Sequence, residues 1–155
     1  MMSPERLIAW AEAREPNHVI GIGRDDGRGY MSRWCLIPRN RLMNIYLHRF
    51  SGDDDDRALH DHPWPSISLC LDGALLEHYR GADGGDVVRY IPDGQWTYRG
   101  PWFAHRLQVL VVPTWTLFIT GPKVRSWGFH CPQGWRHWTE FVDAGDPGRV
   151  GRGCD

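Results

Sequence analysis

From Trp34 onward the sequence is a succession of short apolar runs, each cut by a glycine or proline signal before it reaches helix length. That punctuation predicts an all-β chain, folded as a sandwich or small barrel. Arg33 to Ile37 reads as a strand ended by Pro38, and Met43 to Phe50 as another, followed by Gly52 and the acidic run Asp53 to Asp56. Asp72-Gly73 stands between Ser66–Leu71 and Ala74–Tyr79, which predicts a two-residue type I′ hairpin. Its register would set Leu71 opposite Ala74, Cys70 opposite Leu75, Ser68 opposite Glu77 and Ser66 opposite Tyr79. A second hairpin is predicted at Gly81–Gly85, leading into Asp86–Ile91. Further strands are expected at Trp96–Tyr98, Phe103–Val112, Trp115–Thr120, Trp127–His130 and His137–Val142, with turns at Pro92-Asp93-Gly94 and Pro132-Gln133-Gly134.

Ahead of the strands, Ser3 and Pro4 mark a helix start, and Leu7, Ile8 and Ala11 fall on one face with Trp10 at its edge. Pro16 bounds it. The glycine-rich stretch from Asn17 to Tyr30 reads as a weak strand and a turn. Gly21 and Gly23 are not a phosphate loop, because no helical pattern follows them. The chain of 155 residues is expected to form one domain: a helix over about 4–14, a barrel over about 33–142 and a flexible tail over about 143–155.

Composition excludes several function classes. Eighteen basic residues against 19 acidic ones leave no nucleic-acid footprint, and no apolar run approaches the roughly 20 residues of a membrane span. Charged residues from Glu5 to Arg14 interrupt any secretory leader, so a cytoplasmic location is expected. Cys35, Cys70, Cys131 and Cys154 are widely spaced and form no Cys-x-x-Cys pair, which reads as four reduced thiols. Nine tryptophans suggest flat walls for a cavity or an interface. The carboxylates Asp53 to Asp56 lack the alternating oxygen ligands of a calcium loop and read as a solvated strand end.

Chemistry concentrates in His60-Asp61-His62. Side chains alternate faces along an extended chain, so the two histidines point to one side and Asp61 to the other. Neutral imidazole suits Zn, Fe, Ni and Cu. The pair is half of a metal site, and Asp61 is expected to anchor its loop through a backbone N–H or an arginine. If the strand ran straight on, Trp64, Ser66, Ser68 and Cys70 would share the histidine face, and Leu75, Glu77 and Tyr79 would join it. Pro63 and Pro65 mark a bend. His48 shares parity with Tyr46 and Phe50 and falls toward the same interior. Ile67, Leu69 and Leu71 take the other face, which needs a cover from the N-terminal helix or a second subunit.

The order His-x-His, hairpin, glycine-rich turn, Pro-Asp-Gly turn and His105-Arg106 resembles the cupin family. The likeness covers about Met43 to Ile119. His60, His62 and Gly73 fall in the frame of the first cupin motif, with Ser66 where that motif has a glutamate. Pro92-Asp93-Gly94 supplies the turn of the second motif, and His105 follows it at a longer reach. The resemblance implies a cupin-like double-stranded β-helix, a jelly-roll barrel with a short N-terminal helix. It also implies His60, His62 and His105 as metal ligands. A Glu-less three-histidine set is similar to that of cysteine-dioxygenase-like members, which implies Fe(II), with Mn, Ni or Zn as alternatives. The function implied is a small-molecule oxidoreductase of dioxygenase type. The alternatives are a metal-dependent isomerase or lyase acting on a sugar or keto acid, and a non-catalytic binding module. Tyr79 and Glu77 are candidate proton carriers; Trp64, Ser66 and Trp102 are candidate substrate contacts. A small-molecule substrate and a homodimer are the expected partners.

Overall fold

The computed structural model describes residues 3–21, 29–53, 58–145 and 149–155. Helix α1 (Pro4–Glu12) leads into β1 (His18–Ile20), β2 (Met31–Cys35), β3 (Asn44–Phe50), β4 (Leu59–His60), β5 (Ser66–Asp72), β6 (Ala74–Arg80) and β7 (Asp86–Pro92). Then follow β8 (Trp96–Arg99), β9 (His105–Val109), β10 (Thr114–Thr120), β11 (Gly128–Cys131), β12 (Gly134–His137) and the single turn α2 (Trp138–Phe141). Two antiparallel six-stranded sheets result, in the orders β1-β2-β3-β10-β5-β8 and β12-β11-β4-β9-β6-β7. No helix among the described residues is long and apolar enough to cross a membrane.

The hairpin at Gly81–Gly85 forms as expected, with Arg80 opposite Asp86. The one predicted at Asp72-Gly73 does not. There β5 and β6 lie in different sheets: β5 is flanked by β10 and β8, and β6 by β9 and β7. Both strands have their two edges filled by other partners, so the turn serves as a corner between sheets. Asp-Gly suits either use, because both need a positive φ, and Gly73 has φ +96°. Thr114 closes the corner, its hydroxyl taking the Ala74 N–H at 3.1 Å. The two faces are nonetheless as read from alternation. Ser68 and Cys70 of the first sheet and Leu75 of the second line one interior cavity. Ser68 and Glu77 are not ladder partners; Arg99, on β8 beside Ser68 in the first sheet, joins them across the interior, 2.7 Å from Ser68 Oγ and 2.5 Å from Glu77 Oε1.

Helix α1 covers part of the outer face of the first sheet. Ala11 packs with Trp34, Leu47 and Trp115, and Leu7, Ile8, Trp10, Leu36 and Leu71 surround them. Ser3 makes no side-chain cap bond at the helix start. Inside, Cys70, Leu75 and Ile91 form a second cluster with Leu107 and Val109.

Two further expectations are corrected. Residues 138–141, read as part of a strand, form α2, because the β11–β12 hairpin turns at 131–134 and its return strand ends at His137. Cys131 and Cys154 are not free thiols but form a disulfide, leaving Cys35 and Cys70 free. The folding-back of residues 149–155 brings the two cysteines together, which spacing alone did not reveal. Residues 149–155 carry Gly151 and Gly153 N–H donors on Phe141 O, and Arg136 donates to Gly153 O. Of the acidic run, Asp53 accepts the Val109 N–H at 2.7 Å, while Asp54 to Asp56 lie outside the described residues, as does Gly23.

Candidate metal centre

Strand β4 is two residues long, and it places the first ligand. His60 lies between Phe129 of β11 and His105 of β9, with His105 as its direct cross-strand partner. Directly opposed residues share a sheet face, so the first and third histidines are neighbours by register. His62 follows on the same side as the chain leaves for the other sheet at Pro63–Pro65. The three rings form a nearly equilateral triangle, with centroids 5.1 Å (His60–His62), 5.0 Å (His60–His105) and 5.2 Å (His62–His105) apart. One nitrogen from each lies within 4.8 Å of the others.

Asp61 anchors the stretch from behind, as expected of a residue facing away. Its Oδ1 accepts the Gly128 N–H at 2.9 Å. Its Oδ2 accepts Trp135 Nε1 and Arg125 Nη1, each at 2.9 Å, and lies 3.1 Å from His130 Nε2.

The donor set fits a divalent transition metal. Nε2 of His62 lies 2.9 Å from Nε2 of His105, so at most one proton can sit between them. Burial pushes the pKa of His62 well below its ordinary 6.5, reinforced by His60 and His105. Burial also takes His105 down to about 3, with Arg99 and His60 adding to it and the Glu77 carboxylate opposing. His62 and His105, held neutral, present lone pairs to a cation beside the His60 ring, and metal ligation needs that state.

Glu77 stands behind the third ligand. It is fully buried, and its Oε1 lies 2.7 Å from His105 Nδ1, off the straight N–H line. Arg99 Nε reaches the same oxygen, while Arg89 grips Oε2 through Nε at 3.0 Å and through its terminal nitrogen. Burial alone would raise this carboxyl's pKa; the contact with His105 and the charge of Arg99 hold it well below the usual carboxylate range. A carboxylate on the far nitrogen of a ligating histidine fixes its tautomer and its ring orientation.

The triangle opens on a cavity of about 510 Å³ between the sheets. Trp64 lines it, its indole N–H buried and without a partner among the described residues, and so do His48 and, at one end, Trp127, Phe129 and Phe141. Of the predicted residues, the structure thus brings together His60, His62, His105 and Trp64. Glu77 touches the back of His105 and does not reach the cavity. Tyr79, the cross-strand partner of His105, packs on Phe103 at 5.2 Å with Arg89 over its ring, outside the cavity lining. Ser66 is buried outside that lining. Trp102 is 70% exposed, beneath Arg125, because the Gly100-Pro101 turn carries it outward. Sequence reasoning missed the arginines: Arg33, Arg39, Arg99 and Arg149 all line the cavity. Alternation along β2 was the signal for Arg33, but its meaning depended on the partner strand.

Solved structures share this fold at low identity. The DMSP lyase DddQ from Ruegeria pomeroyi matches with a TM-score of 0.57 at 16% identity, over 76% of this chain and 60% of the lyase. A cupin superfamily protein from Desulfitobacterium hafniense matches at 0.52 and 14% identity, over 76% of this chain and 88% of that one. A variant of oxalate decarboxylase from Bacillus subtilis matches at 0.50 and 14% identity, over 73% of this chain and 28% of the decarboxylase. The chain therefore spans less than two thirds of the lyase and of the decarboxylase. The likeness shows the fold, a cupin-like double-stranded β-helix. No protein-family profile and no curated protein matches the sequence.

Proposed function

We propose that the protein is a metal-dependent oxidoreductase of dioxygenase type acting on a small molecule, with His60, His62 and His105 holding one divalent metal. The observation that carries this reading is the convergence of three imidazoles, with no carboxylate among them, on the wall of a cavity of substrate size. Fe(II) is favoured over Mn, Ni or Zn because the Glu-less set resembles that of cysteine-dioxygenase-like cupins. When bound, such a metal supplies open coordination positions and, for iron, a redox couple.

The chain's own residues divide the remaining work. Glu77 orients His105 and is a positioning residue, since it does not reach the cavity. Trp64 offers its unpartnered indole N–H to substrate, and the aromatic end of the cavity excludes water. The test is elemental analysis of protein purified without a histidine tag, followed by oxygen uptake with a panel of thiols. Iron near one per chain with uptake supports the reading. Zinc or nickel without uptake transfers it to a lyase or isomerase that uses the metal as a Lewis acid. Metal content unchanged by His60→Ala and by His105→Ala would remove the site assignment.

A further inference from the structure

The bond between Cys131 and Cys154 joins positions 23 residues apart in sequence, the end of β11 and the strap 149–155. The strap runs along residues 141–143. Val150 bridges Val142, Asp143 N donates to Arg149 O at 2.9 Å, and the Gly151 and Gly153 N–H groups both donate to Phe141 O at 3.0 Å. Arg136 reaches over from β12, its Nη1 donating to Gly153 O at 2.7 Å and to Asp155 O at 2.6 Å. At Gly151 the two backbones are so close that a Cβ would stand 2.6 Å from Val142 O.

This strap forms part of the rim of the metal-site cavity. Arg149 and Val150 line it together with Phe141 and Val142, and Arg149 is also exposed, which puts it at the opening. Behind the strap, Phe141 stacks on Phe129 with ring centroids 3.6 Å apart. Phe129 in turn is the ladder partner of His60, ring to ring at 6.0 Å. An unbroken line of contacts therefore runs from the strap to the first candidate ligand.

Little besides the disulfide fastens the strap. Of residues 149–155 only Gly153 is buried, so no large side chain anchors it in the core. Backbone hydrogen bonds at a surface open easily when nothing packs over them. A cross-link over 23 residues shifts such an opening equilibrium by about 100-fold or more. Cys131 and Cys154 are both half-buried, within reach of a small thiol, whereas Cys70 is buried. Accessible disulfides are the ones open to exchange.

We infer that Cys131–Cys154 is a redox-operated clasp: oxidised, it holds the strap across the aromatic end of the cavity; reduced, it lets the strap lift and opens that end. The inference rests on the metal-site reading given above and adds a regulation of that site. The reductant is a dithiol. One of its thiolates attacks a protein sulfur, the protein S–S bond breaks and a mixed disulfide forms; its second thiolate then displaces the protein sulfur. The dithiol ends as a cyclic disulfide, and its two electrons and two protons pass to Cys131 and Cys154. A small disulfide such as glutathione disulfide reverses the step and leaves as two thiols.

The experiment has two arms. Amide hydrogen exchange, followed by NMR, compares metal-free wild type oxidised with glutathione disulfide and reduced with dithiothreitol. Zinc stripping by EDTA compares zinc-loaded oxidised wild type with the double variant Cys131→Ser, Cys154→Ser, in which no freed thiol can itself bind zinc. Dithiothreitol is expected to reduce the bond in the folded protein. The Asp143, Gly151 and Gly153 amides should then exchange about 100-fold or more faster, with the β6–β9 ladder amides unchanged. Zinc should leave the double variant about tenfold or more faster, since the open population rises by at least that much; Cys35→Ser, which keeps the bond, should match the wild type. If the double variant does not fold, reduced wild type capped with iodoacetamide replaces it. A bond that resists dithiothreitol until the protein unfolds overturns the inference. So does strap protection that survives reduction, or equal zinc stripping in the two proteins. If the wild type holds no zinc, the metal reading fails by itself, and the exchange arm still decides on the clasp.

Discussion

At Glu77 one carboxylate joins the third metal ligand to two arginines, one from each sheet. Glu77→Gln keeps the shape and removes the charge, so His105 loses its orienting partner while Arg89 and Arg99 lose their counter-ion. Metal affinity should fall about 10- to 100-fold, the usual cost of removing such a partner, measured by competition with a chromophoric chelator. Breaking a buried ion pair from one side costs on the order of 3–5 kcal/mol, so a lower thermal midpoint should accompany it. A second prediction concerns acid. His48, His62 and His105 are held neutral below their ordinary 6.5 by burial. As pH falls through 6.5 the unfolded chain takes up protons at these positions and the native metal-free protein does not, so stability declines. Thermal unfolding of metal-free protein should show a midpoint that falls steadily from pH 7 toward pH 4; a flat profile would contradict the burial of these three rings. Alternation made His60, His62 and even the inward parity of Glu77 legible. What Glu77 touches was not legible, because Arg89 and Arg99 reach it from positions that only strand pairing brings near.

The corner at Gly73 is the element on which the two sheets depend. A Cβ there would stand 2.4 Å from Thr114 Oγ1, on backbone at φ +96°. Gly73→Ala therefore meets both a clash and a disfavoured conformation, and should cost about 1–3 kcal/mol, read as a lower urea midpoint with an unchanged slope. The Asp-Gly signal for a positive-φ turn held true. Whether such a turn folds a strand back on its neighbour or turns it into the facing sheet is decided by which strands occupy the remaining edges. Here β10 and β8 take β5, and β9 and β7 take β6. The same limit explains the cysteines: the Cys131–Cys154 bond depends on residues 149–155 packing back along α2.

For the molecule as a whole, the described residues cover the outer face of the first sheet at one side only. Helix α1 lies over Trp34, Leu47 and Trp115. At the far edge, Ile67, Trp96 and Tyr98 are 41%, 51% and 66% exposed, on β5 and the edge strand β8. An apolar strip along an unpaired edge favours self-association. Light scattering is expected to give twice the 17.9 kDa chain mass, and the double variant Trp96→Glu, Tyr98→Glu to shift it to the monomer. A monomeric wild type at micromolar concentration would contradict a dimer built on this face.

Local rules, read along the chain, were enough for the all-β class, the helix at the start, the Gly81–Gly85 hairpin, the two strand faces and the His60/His62 pair with its anchor Asp61. Each follows from alternation, turn chemistry or the spacing of neighbours, all of which act within a few residues. Tertiary structure alone decided that His105 stands directly beside His60, that Glu77 backs it, that Arg33 faces the triangle across the cavity, and that Trp102 lies outside. Those positions are tens of residues apart in sequence. Their meeting is set by strand order and by which edges remain free, and alternation along one strand carries no information about the strand that will pair with it.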